Sequence, residues 1–198
     1  MDGSARLFAA AFLCLAASGC GNQIASITGA IAPPEFHERV DPYDGTRTTY
    51  MGDFSVYPCT GRISTVVDEV SAPYVALAFV ASEPRSGRMQ YAAMVKYSGS
   101  AWLFISPGPS LQMLVDGSPL TLSSPLGSSE SQTVSPPPIV SDDETATYFL
   151  TPEQLARVAG ASRIQFRVSG QDGYVEGCVL ERQIPEISTF IARTSAAK

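Results

Sequence analysis

Few residues in this 198-residue sequence belong to the types that carry enzymatic chemistry. His37 is the single histidine, so a serine or cysteine nucleophile with a histidine base would have to use this side chain. The segment around it contains a Pro-Pro pair and shows no period of 2 or 3.6, which favours an exposed histidine in a linker. The sequence has neither a Gly-x-Gly-x-x-Gly pattern nor a Walker loop. We therefore predict no histidine-based catalysis and no cofactor.

Carboxylates are the remaining candidates for acid–base or metal chemistry. The run Asp142–Glu144 offers oxygen ligands suited to Ca²⁺, but it lacks the alternating spacing that wraps an ion, so we interpret it as a solvated acidic loop. One histidine provides too few ligands for a zinc site, and no metal site is predicted. A glycosidase pair would need two of Glu69, Glu176 and Glu181, and nothing in the sequence brings two of them together. A carboxylate-dependent periplasmic hydrolase is the alternative to a non-catalytic function.

The charge pattern excludes two classes of partner. The formal net charge is −6, and the chain has no run of lysine and arginine, so it lacks the electrostatic footprint of a nucleic-acid-binding protein. Lys96 and Lys198 are the two lysines of the sequence, which also excludes a polybasic membrane patch.

The first 20 residues form a separate unit. Arg6 precedes the apolar run Leu7–Ala17, which is too short for a membrane-spanning helix, since such a helix needs about 20 residues. Small residues then lead to Cys20. A positive start, a short apolar run and a small-residue cleavage site are typical of a secretory signal peptide. The sequence Ser18-Gly19-Cys20 also resembles the lipobox of bacterial lipoproteins.

The lipobox resemblance implies that residues 1–19 are removed and that Cys20 is acylated, which makes the lipid bilayer the first partner. Two acyl chains suffice for stable anchoring. A plain secretory signal cut near Cys20 is the alternative. The resemblance further implies a location in the outer membrane, facing the periplasm, because Gly21 stands where an aspartate commonly retains a lipoprotein in the inner membrane. We expect residues 20–45 to be a lipidated flexible tether.

Two cysteines remain once Cys14, inside the apolar run, and Cys20 are assigned to the signal and the anchor. An even number of cysteines in an exported protein favours disulfides. Cys59 and Cys178 are therefore predicted to pair, and two buried thiols are the alternative. Such a bridge contributes about 2–5 kcal/mol to stability.

Residues 46–198 are predicted to form a single β-rich domain. The clearest hairpin lies at residues 111–122, where apolar residues alternate on both sides of Asp116-Gly117. A helix is predicted from Thr151 to Gly160, with a capping box and a proline at its first position. The Ser/Pro-rich stretch 123–141 is predicted to be a long exposed loop. Trp102, among apolar neighbours, is interpreted as a core residue.

These patterns predict a mainly β fold, an antiparallel β-sandwich or curved sheet with one or two short helices, with α+β as the alternative class. Residues 148–170 resemble uncharacterised exported bacterial proteins, which implies no activity. The expected function is that of a membrane-anchored, non-catalytic envelope lipoprotein. We expect it to bind or assemble with an envelope protein or a peptidoglycan-associated partner, and not with nucleic acid.

Overall fold

The computed structural model describes residues 34–57, 59, 74–85, 87–134 and 140–195, which belong to one compact unit spanning Pro33–Lys198. The described residues form ten strands: β1 (Phe36–Val40), β2 (Arg47–Tyr57), β3 (Tyr74–Glu83), β4 (Gln90–Gly99), β5 (Gly108–Val115), β6 (Ser118–Ser124), β7 (Ser128–Val134), β8 (Val140–Leu150), β9 (Ile164–Gly170) and β10 (Gly173–Val179). Two α-helices accompany them, α1 (Pro152–Ala159) and α2 (Ile184–Ser195), with a 3₁₀ turn at Glu181–Gln183.

The strands form two antiparallel sheets. A six-stranded sheet has the order β1-β2-β3-β4-β8-β7, and a four-stranded sheet has the order β6-β5-β9-β10. The end of β2 pairs with β10 at Tyr57 and Cys178, which joins the two sheets. The predicted mainly β, sandwich-like class is therefore confirmed.

A β-bulge in β2 decides which of its side chains face the core. The register with β3 shifts between Met51 and Phe54, and both of these residues are fully buried although they are three positions apart. Because the bulge inserts an extra residue, Tyr50 and Asp53 both lie on the opposite, solvent-facing side. The bulge thus brings two polar side chains together on one surface.

The hydrophobic core lies between the sheets and is closed by the helices. The hairpin of β5 and β6 contributes alternate residues such as Met113 and Leu122, and its turn residues Asp116 and Gly117 both have positive φ, as the Asp-Gly sequence predicts. Helix α1 begins with the predicted capping box. Helix α2 buries one face, and the ring of Phe190 lies 6.5 Å from that of Phe79.

Two boundary predictions and one burial prediction differ from the structure. Residues 36–40, predicted as part of the tether, form β1 and pair with β2, because an edge strand needs little local hydrophobicity when a neighbour supplies the ladder. Residues 128–134 of the predicted loop 123–141 form β7, an edge strand beside β8. Trp102 is half-buried rather than part of the core, and its ring stacks on Phe104 at 6.0 Å between centroids.

Candidate functional site

The solvent-facing side of the four-stranded sheet carries a groove with a volume of about 600 Å³. Pockets that bind small ligands have volumes of roughly 300–1,000 Å³. Because side chains alternate along a strand, the residues between the core positions of these strands point outward on this face. The pairing register aligns them into two neighbouring rows, which form the floor of the groove.

The first row crosses all four strands as Thr121, Gln112, Arg167 and Glu176. Nε of Arg167 donates to Oε1 of Glu176 with an N···O distance of 2.7 Å, and Nη2 donates to the same oxygen. The guanidinium carbon of Arg167 lies 4.4 Å from the centre of the Tyr174 ring. Two contacts therefore fix the orientation of this cation in the free protein.

The second row crosses the sheet as Pro119, Leu114, Gln165 and Cys178. Leu114 is 42 % exposed, which is high for a leucine in a strand. Cys178 is bonded to Cys59, which lines the groove, and their Cα atoms are 5.1 Å apart. The predicted disulfide is present in the structure, and it closes this row on the β10 side.

A second polar group, here called the Lys96 cluster, lies on the outer face of the six-stranded sheet and consists of Tyr50, Asp53 and Lys96. Nζ of Lys96 donates to Tyr50 Oη at 2.7 Å and to Asp53 Oδ1 at 2.9 Å, and Tyr50 Oη donates to Asp53 Oδ1 at 2.6 Å. Lys96 belongs to β4 and its partners to β2, so its side chain crosses β3. The buried alanines Ala76 and Ala78 leave room for this crossing.

The protonation states of the Lys96 cluster argue against catalysis at neutral pH. Burial raises the pKa of Tyr50 to about 12, and the hydrogen bond to Asp53 acts in the same direction. Burial disfavours the charged form of Lys96 and so lowers its pKa. The hydrogen bonds to Tyr50 and Asp53 have the larger combined effect, and the pKa of Lys96 is raised. The phenol therefore stays neutral and the ammonium stays charged, whereas a tyrosine or lysine that acts as a nucleophile or general base needs a lowered pKa.

The most buried carboxylate among the described residues has a structural role. Glu144 on β8 is 1 % exposed. Its Oε1 accepts from the backbone N–H groups of Leu103 and Phe104, and its Oε2 accepts from the N–H of Ile105 and from Ser128 Oγ, both at 2.9 Å. We call this arrangement the Glu144 clamp. It satisfies three backbone donors in the connection between β4 and β5, where Phe104 has a positive φ of 52°.

The same connection is held from the other sheet. The backbone N–H of Gln171, in the turn between β9 and β10, donates to Phe104 O at 3.1 Å. A Cβ atom added at Gly170 would lie 1.9 Å from Leu103 O, so only a glycine permits this close approach. The clamp and the turn together tie the two sheets at this end of the sandwich.

The acidic run Asp142–Glu144 is not the solvated loop that the sequence predicts. It belongs to β8, where Asp142 and Glu144 are both buried. Within the described ranges, no three histidine, cysteine, aspartate or glutamate side chains form a group that would hold a metal ion. His37 lies on β1, with Nε2 3.5 Å from Glu35 Oε2, and not in a linker.

Two of the glutamates considered for a hydrolase, Glu176 and Glu181, lie among the described residues. Glu176 is paired with Arg167 in the groove, and Glu181 starts the 3₁₀ turn before α2. Glu69 and the predicted lipidation site Cys20 lie outside the described residues. In the part of the chain that the structure describes, no helix is both long and apolar enough to cross a bilayer.

The sequence pattern does not single out Gln112, Gln165 and Arg167 as residues of one groove. Their alternation with core residues marks them as outward-facing, but an exposed polar residue on a strand is ordinary, and only the register shows that they share two rows.

No family model, curated protein or solved structure matches this chain. The groove itself is therefore the basis for assigning a function.

Proposed function

We propose that this chain is a lipid-anchored bacterial envelope lipoprotein whose β domain is a non-catalytic binding module. The observation that supports binding is the groove of about 600 Å³, whose floor of polar and apolar side chains is built on paired strands and not on loops. Sites on regular elements hold their side chains in fixed positions, which lowers the entropic cost of binding. The anchor rests on the sequence, in which Cys20 ends a lipobox-like stretch.

The arrangement of carboxylates favours binding over hydrolysis. Both oxygens of Glu144 accept hydrogen bonds from the protein, and Asp53 and Glu176 are each paired with a cation. An acid–base pair needs one carboxyl group with a raised pKa beside a second one that stays ionised. Each of these three carboxylates is already bonded to a partner in the protein, which does not suit the role of a free acid or base in hydrolysis.

The binding function is tested by recovering the native lipidated protein from its membrane and identifying retained components by mass spectrometry. The Gln112→Ala variant should lose the specific component, because it removes a polar group from the groove floor. Gln90→Ala, an exposed glutamine at the start of β4, is the matched control and should retain it. Retention by both variants would place the binding surface elsewhere, and turnover of the captured component would favour the hydrolase.

The anchor is tested by feeding labelled fatty acid to cells that produce the protein. Wild-type chain and Cys14→Ser should incorporate the label, and Cys20→Ser should remain an unlipidated precursor. Label in the Cys20 variant would show that this cysteine is not the site. Sucrose-gradient fractionation then tests the location: the wild-type protein should follow outer-membrane markers, and recovery with inner-membrane markers would contradict that step.

A further inference from the structure

The groove floor is electrically neutral although the whole chain carries a formal charge of −6. Its two charged side chains, Arg167 and Glu176, form an ion pair with each other. The other floor residues, Thr121, Gln112 and Gln165 among them, are uncharged. A strongly charged ligand would find no net complementary charge here, so the floor fits a neutral ligand.

The floor offers side chains that can both donate and accept hydrogen bonds. The side-chain amides of Gln112 and Gln165 each contain donors and an acceptor, and the hydroxyl of Thr121 can act as either. These groups lie on three adjacent strands within two rows of the groove. A ligand with several hydroxyl groups, each a donor and an acceptor, matches this surface because every pairing can be satisfied in at least one direction.

Apolar surface adjoins the polar row. Leu114 is 42 % exposed, Pro119 lies beside it, and Tyr174 is 60 % exposed at the other side of Arg167. A ring with polar edges and apolar C–H faces buries its faces on such side chains while its edges form hydrogen bonds. A lipid chain would leave the amides without partners, which costs free energy.

A peptide strand is a weaker match. Peptides that extend a sheet bind at its edge, where backbone groups lack partners. The groove lies on a face, and the backbone groups of the central strands β5 and β9 are used in the ladders on both sides. From these two strands only side chains face the ligand, and they are the amides of Gln112 and Gln165, the guanidinium of Arg167 and the apolar Leu114.

We propose that the groove binds a neutral oligosaccharide, with Gln112 and Gln165 hydrogen-bonding its hydroxyl or acetamido groups. This inference rests on the proposed binding function and names the class of ligand for the same site. The volume of about 600 Å³ accommodates a few sugar rings and not a polymer along its whole length. The ion pair of Arg167 and Glu176 orients both groups before the ligand arrives.

Isothermal titration of the full-length chain in detergent tests the proposal. The probes are cellotetraose, maltotetraose and the tetramer of N-acetylglucosamine, with tetragalacturonate as the anionic control. At least one neutral probe should bind with a Kd of about 1 mM or lower, and tetragalacturonate should bind more weakly. Gln112→Ala should weaken binding roughly tenfold, as expected for a lost hydrogen bond, and Gln90→Ala should not.

The result that overturns the proposal is that no neutral probe binds, or that Gln112→Ala binds the probe as well as wild type. Different results distinguish the failure of the oligosaccharide proposal from the failure of the proposed binding function. Capture of a protein that depends on Gln112, with no glycan binding, leaves the binding module standing and removes the oligosaccharide. Cleavage of a bound tetrasaccharide keeps the oligosaccharide and removes the non-catalytic function.

Discussion

The two glutamates Glu144 and Glu176 show how one residue type serves two different purposes in this sandwich. Glu144 is 1 % exposed and accepts four hydrogen bonds from the protein, three of them from consecutive backbone N–H groups. The side chain of Glu176 is 47 % exposed, and it is paired with Arg167 on the neighbouring strand. Both oxygens of Glu144 are occupied by hydrogen bonds that hold the fold together, whereas Glu176 lies where a ligand can reach it. Buried, fully satisfied polar groups specify structure, and exposed ones are available for recognition.

The largest effect is expected from Glu144→Ala. It leaves three backbone donors without an acceptor, two in the buried residues Leu103 and Ile105 and one in the partly buried Phe104. A donor without a partner costs about 1–3 kcal/mol, so the free energy of unfolding should fall by about 3 kcal/mol or more. Urea denaturation followed by circular dichroism measures this change. Glu130→Ala, at the exposed position opposite Glu144 in β7, is the control and should change stability by less than about 0.5 kcal/mol. Equal midpoints for the two variants would contradict the structural role of Glu144.

A smaller loss is expected from Gly170→Ala, which tests the other attachment of the same connection. The added Cβ would meet Leu103 O at 1.9 Å, so the chain must move, and such overpacking costs roughly 1–3 kcal/mol. At Gly160, where a Cβ would lie 3.4 Å from the nearest atom, the alanine variant should have nearly wild-type stability. If both alanine variants unfold at the wild-type urea concentration, the close approach at Leu103 does not matter.

The Lys96 cluster lies between the two glutamates in burial, and it is expected to make stability depend on pH in the alkaline range. The pKa of Tyr50 is about 12 in the folded chain and about 10 when unfolded, so between these values the folded state holds more protons. Stability should therefore fall as pH rises from about 10 to 12, and Tyr50→Phe should make this fall shallower. Asp53→Asn removes one cause of the raised pKa and should shift the absorbance titration of Tyr50 toward 10. Unchanged titration in that variant would argue against the contact.

The smallest effect on stability is expected from Glu176→Ala. Exposed ion pairs across strands contribute about 0.2–1 kcal/mol, so the urea midpoint should shift only slightly. The same variant should reduce binding at the groove, because Arg167 loses the partner that orients it. A large loss of stability would instead show that Glu176 is a structural residue like Glu144.

The sequence predicts much of the local structure because the signals are local. The alternating residues around Asp116-Gly117 predict a hairpin, and that hairpin is present. The capping box of α1 is present as well, since it depends on two residues three positions apart. The Cys59–Cys178 pair follows from the number of cysteines that remain after the signal and the anchor, and the mainly β class follows from the repeated alternation of apolar and polar residues. Each of these inferences needs only neighbouring residues or a total.

The tertiary structure alone decides what the polar residues do. Asp142–Glu144 looks like a solvent-exposed acidic run, yet Glu144 is buried because a connection 40 residues away presents its backbone donors to it. Tyr50 and Asp53 share a face only because a bulge breaks the period of two. The groove exists because the register places Gln112 opposite Arg167, and Arg167 opposite Glu176. Register and bulges depend on pairing between distant strands, so the local pattern that determines each strand does not contain them.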